Sequence, residues 1–186
     1  MGAYQHVVVV MSIVLGLAVT QLLRGIAQLY RTRKRVRTYW LHWAWIVLLV
    51  VFSLLLWWTF WNYRSIQDWD FFRFVAYLSP TIVFYFLTAV AIPDPSDAVS
   101  DLKEYYFANR VGFFGTFALY GVVAGFTAIF VRGLPLVDRS NILRLVMVLL
   151  MLLALRSTSE RVHTAVLILS AILMFGFILF FQPRLG

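Results

Sequence analysis

Residues 145–155 read LVMVLLMLLAL, an unbroken apolar run. A strand of a membrane β-barrel alternates polar and apolar residues over about ten positions, and this run does not alternate. Backbone polar groups in lipid must be paired within the protein, so only helices and closed barrels can span a bilayer. The run therefore predicts an α-helix, and we expect the rest of the chain to form helices with it.

Five further apolar segments surround this one, and most approach the roughly 20 residues that a helix needs to cross a bilayer. The six predicted helices cover residues 5–28, 40–63, 71–92, 105–131, 142–155 and 162–181. No basic stretch precedes the first apolar run, so we expect a retained helix rather than a cleaved signal peptide. We predict an all-α polytopic membrane protein, a single domain over residues 1–186 with six transmembrane helices.

The composition independently indicates lipid as the solvent. The 186 residues are 62% apolar and 13% charged, whereas soluble domains are about 45–50% apolar and about 25% charged. The chain has no cysteine, which excludes disulfides and thiolate chemistry. Its net charge is +8, but the basic residues lie between apolar segments. This pattern favours contact with anionic lipid headgroups and argues against nucleic acid as a partner.

Basic residues also predict the orientation. The loop after the first predicted helix reads RTRKRVR at 31–37. Alternate crossings place ten lysines and arginines on the side of this loop and six on the other. The positive-inside rule then puts the loop in the cytoplasm and both termini outside, in a bacterial inner (plasma) membrane.

Several kinds of chemistry lack the residues they need. No Asp or Glu falls in the middle third of a predicted helix, which disfavours proton-coupled transport. Lys34 and Lys103 lie in loops, so no helix offers a Schiff-base lysine. There is no nucleophile elbow and no glycine-rich phosphate loop. We therefore predict a protein that is not an enzyme and has no cofactor.

Arg24 lies about one turn inside the cytoplasmic boundary of the first predicted helix, on the face that carries Gln21. Three roles are open to it: it can snorkel to the headgroups, pair with Glu104 or Glu160, or join an anion or lipid-phosphate site. The candidate members of that site are Arg24, Arg110, Arg156 and Arg161.

Polar residues are concentrated at the start of the fourth predicted helix, where residues 101–110 read DLKEYYFANR. We predict a polar latch that holds the cytoplasmic layer together, and a solvated, capped helix start is the alternative. The candidate members of the latch are Gln21, Glu104, Asn109 and Glu160.

Two histidines, His42 and His163, fall near the cytoplasmic ends of their predicted helices. Facing each other, they could ligate a haem or a metal, whereas separately each would make an interfacial hydrogen bond. Without an HExxH motif the sequence predicts no metal site, and these two residues are the candidates if one exists.

Small residues mark helix faces that other helices can approach closely. Gly121 and Gly125 form a GxxxG motif, and Gly16 belongs to a small-residue ladder on the first helix. Pro80 is expected to kink the third helix, and the kink either lines a cavity or adjusts packing, of which packing is favoured. These faces serve packing within the chain or between subunits, and we expect a homo-oligomer or a larger membrane complex.

Two functions fit these observations. The first is a non-catalytic accessory or scaffold subunit that packs against itself or a larger membrane complex, in keeping with the short loops and packing faces. The second is a small oligomeric channel or transporter for an anion or a lipid, using the cytoplasmic arginines. An enzyme acting on lipids ranks third, because no motif supports it.

Overall fold

The computed structural model describes residues 3–93 and 100–181, and within these ranges the chain is helical without strands. Its helices are α1 (Ala3–Thr32), α2 (Trp40–Thr59), a 3-10 turn (Phe60–Tyr63) that continues α2, α3 (Phe71–Ala91), α4 (Leu102–Ala108), α5 (Arg110–Arg132), α6 (Arg139–Arg156) and α7 (Glu160–Phe181). The prediction of an all-helical chain is confirmed.

Five helices are long and apolar enough to cross a bilayer. They are α1, α2 with its 3-10 turn, α3, α5 and α7. Their outward faces carry exposed apolar side chains, such as Leu54 at 66% and Ile172 at 60% exposure. Such a surface is suited to lipid and would be unusual for a soluble monomer. A multipass membrane bundle follows from these five helices, while α6, with three arginines in its 18 residues, falls outside the same criterion.

The fourth predicted helix is divided in the structure. Asn109 separates the short α4 from the long α5, with φ −92° and ψ 5°. Asp101 caps α4, because its Oδ1 accepts hydrogen bonds from the backbone N–H groups of Lys103, at 2.7 Å, and Glu104, at 3.3 Å. The segment predicted from 105 to 131 is therefore two helices, and the first of them starts before that segment.

Different contacts hold the two ends of the bundle together. At one end, called here the α4 end, the loop after α1 joins α4 through the backbone pairing of Arg37 with Asp101. Lys103 of α4 also forms an ion pair with Glu160 of α7, at 2.6 Å. At the other, the 3-10 end, the Tyr4 hydroxyl donates to the Phe60 carbonyl at 2.8 Å. These contacts tie the connecting segments to the helices beside them.

An aromatic core fills the half of the bundle nearer the α4 end. Trp45 of α2 is 2% exposed and contacts the rings of Phe113, Phe114 and Phe117, with centroids 5.5–6.0 Å away. Edge-to-face aromatic pairs of this kind contribute about 0.5–1.5 kcal/mol each beyond the area they bury. The half nearer the 3-10 end has ring contacts of its own, such as Tyr63 with Tyr77 at 4.2 Å, but it also contains a cavity.

Candidate functional site

A cavity of about 490 Å³ occupies the half of the bundle nearer the 3-10 end. All six long helices contribute to its lining, and it extends inward from Arg139 at the start of α6 as far as Met151. Twelve residues of helix separate these two positions, so the cavity is about 18 Å deep along α6. Its volume lies within the range of about 300–1,000 Å³ that is usual for small-molecule sites.

The cavity walls below the mouth are mostly apolar. The residues that form them include Leu48, Phe52, Met147, Met151, Leu173 and Met174. Methionine is flexible and polarizable, so a wall rich in it adapts to differently shaped apolar ligands.

Pro80 lies in the α3 wall of the cavity and shapes its surroundings. Proline has no N–H group, so it cannot bond the carbonyl of Ala76 one turn earlier. Hydroxyl groups satisfy this carbonyl instead: Thr127 of α5 donates to it at 2.6 Å and Ser79 at 2.9 Å. The proline therefore replaces an internal helix bond with a contact that joins α3 to α5 beside the cavity.

Three arginines surround the mouth of the cavity. Arg132 ends α5, Arg139 begins α6, and Arg144 lies about 7 Å further along α6. Arg132 and Arg139 are exposed, whereas Arg144 is half-buried. The guanidinium carbon of Arg132 lies 5.6 Å from the ring centroid of Tyr63, which also lines the mouth. The mouth therefore concentrates positive charge next to an apolar interior.

Neutral side chains hold Arg144 in place. Its Nη1 donates to Asn141 Oδ1 at 2.6 Å and to Ser140 Oγ at 3.3 Å. Asp138, the acid at the mouth, accepts hydrogen bonds from the hydroxyl and the backbone N–H of Ser140 and caps α6. These hydrogen bonds lower the pKa of the Asp138 carboxyl. In the described part of the chain, no carboxylate forms an ion pair with any of the three arginines.

The structure does not bring the predicted arginine site together. Arg24, Arg156 and Arg161 are exposed, and Arg110 donates to the Phe107 carbonyl at 2.8 Å. None of them lines the cavity with the arginine mouth, which lies in the other half of the bundle, and Arg110 lines a separate, open groove beside α4. Sequence reasoning missed Arg132, Arg139 and Arg144 as site residues and used them only to predict orientation. The signal was present, because Arg144 is an arginine inside an apolar segment, which marks a candidate site in a membrane helix.

The predicted latch residues have separate surroundings. Glu160 pairs with Lys103, and Asn109 donates to the Tyr105 carbonyl in its own segment at 3.1 Å. Glu104 is exposed, and Gln21 is half-buried on α1.

A second contact between α4 and α7 joins the ring of Tyr106 to His163. The Tyr106 hydroxyl lies 2.8 Å from His163 Nδ1, and His163 Nε2 lies 3.0 Å from the Ser157 carbonyl. The Ser157 carbonyl can only accept, so His163 Nε2 carries a proton and donates to it. In the neutral imidazole Nδ1 is then the acceptor, and the Tyr106 hydroxyl donates to it.

The two histidines both contact Tyr106, with ring centroids at 6.4 Å for His42 and 5.3 Å for His163. Both ring nitrogens of His163 have protein partners, so neither is open to a metal in this arrangement. His42 Nε2 is buried without a partner beside a void of about 20 Å³, which has room for about one water molecule. Within the described ranges, no cluster of three or more metal-binding side chains is present.

The glycines predicted to mark packing faces differ in their surroundings. A Cβ atom at Gly121 would lie 2.5 Å from Val148 Cγ2, so this glycine allows α5 to approach α6 closely. A Cβ at Gly16 or Gly125 would meet nothing within 4 Å. Gly25, not singled out in the sequence, is equally crowded, with Ile92 Cγ2 2.5 Å from its Cβ position.

A scan against protein-family models, a search of curated proteins and a search of solved structures find no significant match to this chain. The cavity and its three arginines are therefore the basis on which a function can be argued.

Proposed function

We propose that this chain is a non-catalytic membrane protein that binds an anionic amphiphile, with the anionic group at the arginine mouth and the apolar part in the cavity. Half-buried Arg144 carries the proposal, since a positive charge removed from water is costly unless an opposite charge compensates it. Its protein partners are neutral. Guanidinium groups bind carboxylate and phosphate oxygens through paired hydrogen bonds, so either headgroup fits the mouth.

The sequence predicted a channel or transporter for an anion or a lipid as one of two functions. This proposal makes the ligand more specific and places the site at the opposite end of the bundle. The volume of about 490 Å³ suits one apolar chain or a small ring system and is small for a lipid with two long chains. The cavity ends at the aromatic core around Trp45, which supports binding rather than open conduction.

The proposal includes α6 as a sixth membrane crossing. Its 18 residues extend about 27 Å, close to the hydrocarbon thickness of about 30 Å. Arg139 and Arg156 stand at its two ends, where long side chains reach the headgroups. Arg144 lines the cavity and so need not face lipid. With six crossings, the basic loop and α4 lie in the cytoplasm of a bacterial inner membrane, and the cavity opens outside.

The scaffold function remains a second candidate, supported by the open glycines. Gly16 and Gly125 leave space in which a helix from another subunit can approach. Native mass spectrometry from lipid nanodiscs tests this candidate. A homo-oligomer that Gly16→Leu or Gly125→Leu dissociates would support it, and a monomer with no associated subunit would exclude it.

Binding of a single-chain carboxylate tests the main proposal. The protein in zwitterionic nanodiscs is titrated with decanoate, with decanol as the uncharged counterpart and empty nanodiscs as the partition control. We expect saturable binding of decanoate, weaker binding of decanol, and a loss of about tenfold in decanoate affinity in Arg144→Gln.

Arg24→Gln is the matched control, because Arg24 is exposed on α1 and far from the cavity mouth. It should bind decanoate as the wild type does. Equal binding of decanoate and decanol, unchanged by Arg144→Gln, would refute an anionic site at the mouth. Octyl phosphate in the same assay distinguishes a phosphate preference from a carboxylate preference.

A further inference from the structure

Ser170 on α7 differs from the other buried serines and threonines in the described part of the chain. It is fully buried, belongs to the lining of the cavity with the arginine mouth, and its Oγ has no hydrogen-bond partner. A serine or threonine in a membrane helix ordinarily bonds a backbone carbonyl of its own helix. Ser53 does so to Val50 at 2.6 Å and Thr88 to Tyr85 at 2.7 Å. Ser170 therefore places an unpartnered polar group in the lining of the cavity.

Thr81 on α3 provides a second buried hydroxyl in the same lining. Its Oγ1 donates to Met11 Sδ at 3.8 Å, and a thioether is a weak acceptor. Both residues lie inward of the arginine mouth among apolar walls. The cavity thus has a cationic mouth and, deeper inside, two hydroxyls with unused hydrogen-bonding capacity.

We propose that the ligand carries a second polar group, a hydroxyl or a carbonyl, at the inner end of its apolar part, and that this group binds the Ser170 hydroxyl. The inference rests on the proposed binding function and adds the chemistry of the far end of the ligand. A buried hydroxyl without a partner is unfavourable, and a ligand group that bonds it removes that cost. The ligand class is therefore an amphiphile that is anionic at one end and hydrogen-bonding at the other.

A pair of probes that differ in one oxygen atom tests this assignment. The first pair is decanoate and 10-hydroxydecanoate, and the second is dodecanoate and 12-hydroxydodecanoate. Their affinities are measured by competition against a bound fluorescent fatty acid in zwitterionic nanodiscs. A wholly apolar pocket would disfavour the added hydroxyl by up to about 100-fold. With Ser170 as its partner, we expect the hydroxy acid to bind at least as tightly as the plain acid at the better-fitting length.

Ser170→Ala should weaken the hydroxy acid about tenfold and leave the plain acid unchanged. Ser53→Ala is the matched control, because it removes a buried hydroxyl that bonds its own helix outside the cavity lining. It should leave the ratio of the two affinities as in the wild type. Circular dichroism of all three proteins checks that the helices are intact.

This experiment distinguishes failure of the inner polar group from failure of the proposed binding function. If the plain acid binds and the hydroxy acid is disfavoured equally in wild type and Ser170→Ala, the inner polar group is refuted and the anion site stands. A water molecule trapped at Ser170 would give that same result. If neither acid binds with saturation, the proposed function itself fails.

Discussion

Arg144 is set apart from most other arginines of the chain by its surroundings. Arg24, Arg156 and Arg161 are exposed and can reach water, whereas Arg144 is half-buried against a cavity. Asn141 and Ser140 fix the direction of its guanidinium without neutralising its charge. A guanidinium held in place before the ligand arrives loses less conformational entropy on binding, which favours affinity. The proposed site therefore depends on an oriented guanidinium whose hydrogen-bond partners are neutral.

Tyr106 supports a prediction that is independent of the cavity. Tyr106→Phe removes the hydroxyl bonded to His163 Nδ1 and leaves a buried ring nitrogen without a partner. We expect a loss of about 1–3 kcal/mol in the free energy of unfolding. Denaturation of the protein in detergent measures it. Tyr30→Phe is the control, since Tyr30 is 61% exposed, and a similar loss there would contradict a specific role for the Tyr106 bond.

Sequence patterns were least informative about the surroundings of individual side chains. An arginine inside an apolar segment was recognised at Arg24, which the structure leaves exposed, and passed over at Arg144, which lines the cavity. Periodicity says which residues share a helix face, but not whether that face meets lipid or a cavity. Only the tertiary arrangement brings Arg132, Arg139 and Arg144 together, because they belong to two helices.

Among the helices, α3 and α5 are joined at the Ala76 carbonyl, which Pro80 leaves without its usual helix hydrogen bond. The Ala76 carbonyl accepts from Thr127 across the helix interface at 2.6 Å. The sequence showed that a proline interrupts α3, and a packing role was one of the readings. It did not show the partner, because the donor lies 51 residues away along the chain.

A double-mutant cycle tests this coupling. Thr127→Val should lower the free energy of unfolding by about 1 kcal/mol in the wild type. In a Pro80→Ala background the restored N–H of residue 80 bonds the Ala76 carbonyl. Thr127→Val should then lower the free energy of unfolding by clearly less than in the wild type. Denaturation curves for the four proteins give the coupling. Identical costs in both backgrounds would show that the Thr127 bond does not compensate for the proline.

Close packing of α5 on α6 depends on Gly121. In Gly121→Leu the new Cβ would lie only 2.5 Å from Val148 Cγ2. Valine is β-branched and has few rotamers, so Val148 cannot easily move away. We expect a loss of about 1–3 kcal/mol from overpacking. Gly176→Leu on α7 is the matched control, as its Cβ meets nothing within 4 Å. Equal melting temperatures for the two variants in detergent would contradict this assignment.

At the scale of the whole molecule, composition and segment length were sufficient to predict a helical membrane bundle. The boundaries were less secure where local capping decides them, as at Asn109 between α4 and α5. The Pro80 kink left a cavity open as one possibility, but its volume and lining were not predictable, because they result from how all six long helices meet.

The proposed topology gives a labelling prediction for the whole chain. The sequence has no cysteine, so single cysteines can be introduced without a background signal. With six crossings, an impermeant maleimide on intact cells should label Ser65→Cys and Leu136→Cys but not Arg35→Cys or Thr158→Cys. All four parent residues are exposed. Labelling of Leu136→Cys and Thr158→Cys from the same side would show that α6 does not cross.

Photolabelling with a single-chain carboxylate that carries a diazirine near its far end shows whether the apolar part of the ligand enters the cavity. Mass spectrometry of the labelled protein in nanodiscs locates the chain. The account predicts labels on cavity residues such as Met151, Leu173 and Met174, which excess decanoate prevents and Arg144→Gln reduces. Labels confined to outward-facing residues such as Leu54 and Ile172, unaffected by decanoate, would contradict it.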